Sequence, residues 1–431
     1  MRTMRPVTRL RVVRTLSDGQ KIAAGELARN ARGEIFFAWS DDYLDSGLGN
    51  LSPFKFPGER GLIRGPAAPW DGLHGVFADS LPDGWGLLLQ DRSLRARGID
   101  PRTAGPLDRL AMVGARGIGA LSYEPADEES SSGDAVTLAQ LGLEAERELE
   151  GLTAAVLPEL VRSGASGGSR PKSQVFLSPD GERLSLDPFA GSVPWLVKFT
   201  SSRTPLGHEE GLCEAIWLAL QKKAGIRVPE WHLFDGPRGP GRPEVPCWLG
   251  MRRFDVTESG RLHRVSAAGL LDADFRTPCL DYLELLKLVR LLAQTRSETE
   301  EFARRAVFSW LSLNQDDHSR NFSFLKADDG AWRLSPSYDV TYSPSPYGEH
   351  ATAFAGQGRT LDAEAVRRFG KTAGLTPRRM KEIAESVLGA LALFPEAASE
   401  FGLAEQTAAE IAASLAAVRR ANAPAFGIPA S

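Results

Sequence analysis

The run Asn314-Gln315-Asp316-Asp317-His318-Ser319-Arg320-Asn321 has residue types and a spacing suited to phosphoryl transfer. Asp316 and Asn321 stand in a D-x-x-x-x-N arrangement. In that arrangement the carboxylate can orient an attacking hydroxyl or take its proton, and the amide oxygen can reach a Mg²⁺ on nucleotide phosphates. A second acidic position, Asp339, follows in Leu334-Ser335-Pro336-Ser337-Tyr338-Asp339-Val340. Mg²⁺ takes oxygen ligands, commonly one or two from protein and the rest from phosphate and water. Asn321 and Asp339 are therefore the candidate metal ligands and Asp316 the candidate catalytic residue. Either acidic loop alone more often makes turns and caps, so it is the two in order that carry the reading. The six histidines are scattered without H-x-x-x-H spacing, which argues against a histidine metal site. His318 reads instead as a residue that orders the loop through a backbone hydrogen bond beside the nucleotide, and it is counted with the nucleotide-binding set.

Upstream, Gly164-Ala165-Ser166-Gly167-Gly168-Ser169-Arg170-Pro171-Lys172 is a Gly/Ser loop whose amides can approach phosphate oxygens. It matches neither G-x-x-x-x-G-K-[ST] nor G-x-G-x-x-G, and in isolation such a run is more often a flexible connector. Lys198 adds weight because it sits inside the apolar run Trp195 to Phe199, on the opposite face from Val197. Such a lysine either snorkels to solvent or meets an anion. In the second case it would bridge phosphates and a helix carboxylate, for which Glu214 is the candidate and Glu209 and Glu210 the alternatives at the helix start. No G-x-S-x-G elbow is present, so a hydrolase triad lacks its usual nucleophile.

Several elements have to position these residues. Apolar patterning predicts strands over Val7 to Val13 and Glu34 to Trp39, then a helix over Leu87 to Arg97 opened by Pro82 and Asp83-Gly84. The acidic, Ser-rich stretch Pro125 to Asp134 looks like a solvated linker. Beyond it the pattern predicts a helix over Leu138 to Leu160 and strands at Gln174 to Leu177 and Trp195 to Phe199. A helix over Glu209 to Ala224 comes next, then strands at His232 to Phe234 and Cys247 to Phe254. Phe322 to Leu325 and Trp332 to Leu334 form a hairpin through Asp328-Asp329-Gly330, which returns Asp339 beside Asn321. Helices are expected over Tyr282 to Ala293, Thr299 to Leu313, Ala363 to Phe369, Pro377 to Leu393 and Ala404 to Arg419. The sum is an α+β chain with a two-lobed, protein-kinase-like fold, β-rich at its N-terminal part and mostly helical in its C-lobe. Boundaries are expected to give domains 1–128, 129–255 and 256–431.

Composition sets the outer limits. The 431 residues are 42% hydrophobic and 25% charged with a net charge of -4, which gives no general attraction to nucleic acid or an anionic membrane. Three separated cysteines, no apolar leader and no span-length apolar run lead to the expectation of a soluble, cytoplasmic protein with no membrane partner.

At these residues the sequence resembles the HipA family of serine/threonine kinase toxins. Phe77 to Gly86 (FADSLPDGWG) and Gly114 to Pro125 (GARGIGALSYEP) are similar to its N-terminal region, and Ser166 to Lys172 (SGGSRPK) to its Gly-rich loop. Val197 to Phe199 resembles the lysine strand, Met251 to Asp255 (MRRFD) the hinge, NQDDHSRN the catalytic loop and SPSYDV the metal motif. The resemblance implies ATP and Mg²⁺ as cofactors and Asp316 as catalytic aspartate, with Mg²⁺ on Asn321 and Asp339. It also implies that Lys198, Ser166, Gly167, Gly168 and Lys172 hold the phosphates and that Arg252 to Phe254 offer backbone to adenine. It implies a protein substrate connected with translation, such as an aminoacyl-tRNA synthetase. The expected partner is a HipB-like helix-turn-helix antitoxin, with operator DNA bound only through that complex. Seven residues before Lys172, where the family commonly carries an autophosphorylated serine, stands Ala165; Ser163 and Ser166 are the nearest substitutes. A small-molecule phosphotransferase and a degenerate kinase serving as an antitoxin-binding module are the competing readings.

Overall fold

Alternation of apolar and polar residues makes β1 (Arg9–Thr15), which buries Leu10, Val12 and Val13. It is the fourth strand of a five-stranded sheet ordered β4–β3–β2–β1–β5, with β2 at Lys21–Arg29, β3 at Ile35–Trp39, β4 at Leu62–Arg64 and β5 at Leu121–Glu124. Every pairing in it is antiparallel. β2 falls outside the expected strands because KIAAGELAR is built from weak strand formers. Close backbone approach explains that choice, since a Cβ on Gly25 would lie 2.1 Å from the carbonyl oxygen of Ala38 on β3. Helix α1 (Gly84–Ala96) begins three residues before the expected start.

The computed structural model describes residues 2–127, 136–164 and 166–430. The boundary expected at 128 and the family position at Ala165 lie outside these. The single helix expected over Leu138 to Leu160 is two, Leu138–Glu150 and Pro158–Ser163. Gly151 takes a left-handed C-cap with φ 75°, and Pro158 occupies the first turn of the next helix, where its missing N–H costs nothing.

A second sheet follows, in the order β7–β6–β8, then β9 next to β8. Four of its five strands are β6 (Lys172–Leu177), β7 (Leu184–Ser185), β8 (Val193–Lys198) and β9 (Trp248–Arg252), and the fifth, Trp231–Phe234, lies beside β9. The chain divides into two compact units. Unit 1 holds Met1–Gly207, Gly250–Asp272 and Leu325–Ala331; unit 2 holds His208–Leu249, Ala273–Phe324 and Trp332–Ser431.

Unit 2 is mainly helical. α2 (Glu210–Lys223), α3 (Tyr282–Leu292) and α4 (Arg296–Leu311) lie in it, and the chain then runs through a hairpin of β10 (Ser323–Lys326) and β11 (Trp332–Leu334), whose residues 325–331 belong to unit 1. Helices at Ala363–Ala373, Pro377–Leu391, Phe394–Phe401 and Glu405–Asn422 complete unit 2. Its core centres on fully buried aromatics, among them Trp217, Phe302, Phe308 and Trp310, with Trp217 edge-on to Phe394 at 5.6 Å. An α+β chain with a strand-rich unit and a helical unit is what the sequence pattern leads to. Among the described residues no helix is long and apolar enough to cross a membrane.

Candidate active site

Helix α4 supplies the platform for the acidic loop of unit 2. It stops at Ser312, and Leu313 turns the chain with φ 55°, so that Asn314 begins an irregular segment. Asn314 then serves as a buried tie. Its Oδ1 accepts from the backbone N–H of Thr341 and the hydroxyl of Ser343, both at 3.3 Å. A further backbone bond runs from Ser343 N to Leu313 O at 3.0 Å, and Gln315 Oε1 accepts from Ser345 N at 2.7 Å. On the other side of Asp339, the Tyr338 hydroxyl donates to the carbonyl of Arg320 at 2.7 Å. The segment carrying Asp339 is thus stitched to the loop carrying Asp316 and Asn321 both before and after the aspartate. The β10–β11 hairpin closes as expected through Ala327 N to Ala331 O at 2.9 Å and Ser335 N to Ser323 O at 2.9 Å.

Within the loop, Asn321 Nδ2 donates to the main-chain carbonyl of Asp316 at 2.8 Å, a bond that does not engage the amide oxygen. The Asp316 side chain is 72% exposed. Asp339 is half-buried and holds a left-handed φ of 57°, a conformation that is uncommon outside glycine and tolerated best by Asp and Asn. The backbone hydrogen bond expected of His318 is not made. Its Nδ1 is buried without a partner, its Nε2 lies 4.0 Å from Asp316 Oδ1, and its ring packs against Phe275 at 5.4 Å. The ring is held by packing, and its Nδ1 stays an unsatisfied buried polar atom.

Sequence reasoning passed over Asp317, although its carboxylate is fully buried and organises the base of the loop. It accepts from the Tyr282 hydroxyl at 2.8 Å and the Thr352 N–H at 3.0 Å, and lies 2.8 Å from His350 Nδ1. Thr352 also donates its hydroxyl to the Asp317 carbonyl. The His350 ring stacks on Trp310 at 4.2 Å with planes 7° apart. Burial and the Asp317 charge hold the Tyr282 phenol well above its ordinary range, so it stays a donor. The available signal was the second aspartate of Asp316-Asp317 following an apolar helix, but nothing in the spacing pointed to residues 33 to 35 positions away. Asp317→Ala removes the acceptor from all these donors and is expected to destabilise the protein by about 3–5 kcal/mol in urea unfolding. A loss under 1 kcal/mol would show the network to be dispensable.

Unit 1 assembles the phosphate-type features. β6 and β8 pair with Lys172 directly opposite Lys198, and their side chains are only 4% and 5% exposed. Lys198 therefore does not snorkel to solvent. Like charges directly opposite on a sheet repel, and an oxyanion at this end of the strands would relieve the repulsion. Lys172 Nζ donates to the Gly167 carbonyl at 2.7 Å, folding the Gly-rich loop back over its own strand. Ser163 and Ser166 in this segment are buried, with the Ser163 hydroxyl 2.9 Å from that of Ser173. In unit 1 Arg252 is exposed and Phe254 half-buried, and the intervening Arg253 N donates to Pro194 O at 2.9 Å. In unit 2, Glu214 is buried mid-helix in α2 and Glu210 is buried at its start; Glu209 instead accepts from Ala404 N at 2.6 Å and from the Thr407 hydroxyl at 2.6 Å.

The Gly-rich loop does not stand alone. Trp85 N donates to Gly168 O at 3.0 Å, Trp85 Nε1 to Lys172 O at 2.9 Å, and the Asp83 carboxylate accepts from Gly168 N. Gly84, at φ 39°, passes so close that a Cβ would meet Ser169 Cα at 2.6 Å, and a Cβ on Gly86 would meet Gly164 O at 2.6 Å. The Asp83-Gly84-Trp85-Gly86 motif therefore forms a seat for the loop, a role its sequence did not disclose.

Comparison with known proteins is consistent with this layout. Residues 19–124 match the HipA N-terminal domain and residues 164–393 the HipA-like C-terminal domain. Two Sinorhizobium fredii proteins named as candidate kinases are similar. Y4dM is 31% identical over 163 residues, 36% of this chain and 38% of its own length. Y4mE is 25% identical over 423 residues, covering 91% of this chain and 93% of the relative. A Shewanella oneidensis HipA, solved with HipB and operator DNA, superposes with a TM-score of 0.65 at 18% identity, over 97% of this chain and 96% of that one. The fold is thus shared across nearly the full length, and the matched domains account for both the strand-rich start and the helical remainder: the chain belongs to the HipA family.

Proposed function

We propose that the protein is an ATP- and Mg²⁺-dependent serine/threonine protein kinase of HipA toxin type. The observation that supports this most is the stitched pair of loops in unit 2, where the Asp316–Asn321 segment and the Asp339 segment share Asn314 and Tyr338 as ties. In this reading Asp316 orients the acceptor hydroxyl and takes its proton, and Asn321 and Asp339 offer hard oxygen donors of the kind Mg²⁺ prefers. Bound there, the metal supplies charge neutralisation on phosphate oxygens. Lys198, Lys172 and the amides of Ser166 to Gly168 grip the phosphates, and the Arg252 to Phe254 backbone receives the adenine. The buried Glu214 is the proposed carboxylate for Lys198. Exposed Asp316 suits a residue that must meet a protein substrate, for which a translation-related protein is proposed. Neutralisation by a HipB-like antitoxin, with operator DNA reached only through it, completes the proposal, as does a cytoplasmic setting in keeping with three free thiols. Modification of Ser163 or Ser166 would require the loop to leave its seat on Trp85.

The test is transfer of label from γ-labelled ATP in a cell lysate. Label on serine or threonine of a protein band supports the proposal. Label confined to the small-molecule fraction would replace it with a small-molecule phosphotransferase, and absence of Mg²⁺-dependent nucleotide affinity would leave only a binding module.

A further inference from the structure

We propose that unit 1 carries a second anion site, separate from the nucleotide-binding groups, built for a phosphate monoester. A cleft of about 420 Å³ is lined by Lys21, Arg116, Arg162, Arg253 and Arg261. Neither Lys198, Lys172 nor residues 166–168 line it. Against these five cations the lining supplies only the carboxylates of Asp187 and Glu258. Asp187 is shared, receiving Arg116 Nη2 at 2.8 Å and Arg162 Nη2 at 3.0 Å. Arg253 is engaged with Asp255 at 2.5 Å and with Gln174.

Two of the cations are underused. The Arg261 guanidinium donates only to the carbonyl oxygens of Gly117 and Gly119, each at 3.3 Å, and makes no ion pair among the described residues. Burial first, then the neighbouring Arg253 and Arg116 charges against the opposing pull of Asp255, bring its pKa down to about 10. Arg162 Nε is buried with no hydrogen-bond partner. Buried guanidinium donors without acceptors are costly, and a planar fork of N–H groups matches phosphate oxygens in bidentate fashion. A surplus of cations favours a dianion over a carboxylate, and the cleft is roomier than inorganic phosphate needs, so the oxyanion would arrive attached to a carbon skeleton. Thr15, Ser122 and Thr257 add hydroxyls to the wall for the ester part.

The chemistry is shared by small phosphate monoesters and by phosphorylated side chains of peptides, and titration distinguishes them. Calorimetry of the full-length protein would use phenyl phosphate and a phosphoserine tripeptide, each also run against Lys198→Ala, Arg261→Gln and Arg162→Gln. The expected result is binding that survives Lys198→Ala and weakens at least tenfold in Arg261→Gln, with the tighter of the two probes naming the source. If Arg261→Gln does not fold, Arg162→Gln at the rim gives the same reading. No binding by the wild type, binding lost in Lys198→Ala, or binding indifferent to both arginine substitutions would overturn the site. Because none of these readouts requires phosphoryl transfer, failure here and failure of the kinase assignment are separate results.

Discussion

Asp316→Asn is expected to reduce phosphoryl transfer by on the order of 10²–10⁴-fold, the usual worth of a positioned proton acceptor. The change should be almost invisible to stability. Asp316 is 72% exposed, and its main-chain carbonyl, which holds Asn321, is untouched by the substitution. Surface replacements of this kind stay within about 0.5 kcal/mol. A loss of turnover with unchanged KM for ATP would identify a group acting on the acceptor rather than on the nucleotide. Label transfer measured at several ATP concentrations, beside a thermal melt, checks both halves. Normal turnover in this variant would remove Asp316 from the chemistry.

Asp339→Ala should abolish the Mg²⁺-dependent part of nucleotide binding. A ligand present at about a hundred times its Kd stabilises the folded state by about 2.7 kcal/mol, and the variant is expected to lose that increment when Mg²⁺ and ATP are added together. The backbone complicates the substitution, since Asp339 sits at φ 57° and alanine tolerates the left-handed region poorly, at a cost of roughly 1–2 kcal/mol. Asp339→Asn separates the two effects. Asparagine accepts the same φ and keeps an oxygen donor while losing the charge. Stability near wild type together with weakened Mg²⁺ dependence in the Asn variant would tie the effect to metal affinity. An unaltered Mg²⁺-dependent shift in both variants would exclude Asp339 as a ligand.

What the sequence disclosed follows the reach of each interaction. The Asp316–Asn321 loop, the hairpin behind it and the helices of unit 2 rest on local spacing, turn residues and helical periodicity, all of which are written within a few residues. The Glu209 to Ala224 pattern corresponds to α2 within a residue or so at each end. β2 escaped because its Ala and Gly residues answer to a neighbouring backbone, as Gly25 does to Ala38. The single expected helix after the linker broke because Gly151 found a capping geometry that periodicity does not weigh. Asp317 and the Asp83 to Gly86 seat escaped for a different reason. Their meaning lies in partners 33 to 35 and about 85 positions distant, Thr352, His350 and Gly168 among them. His318 shows the same limit in reverse, since its type suggested a backbone bond, whereas its ring packs against Phe275 and its Nδ1 is buried without a partner.

The hold of Trp85 on Gly168 reaches beyond the loop itself. Residues 19–124 and 164–393 read as two modules by ancestry, yet the indole belongs to the first and the strand it braces to the second. A polypeptide excised at the seam would retain its lysines and forfeit their scaffold. Shuffling one half between relatives would keep the loop on its support only where residues 83–86 and 166–172 travel together.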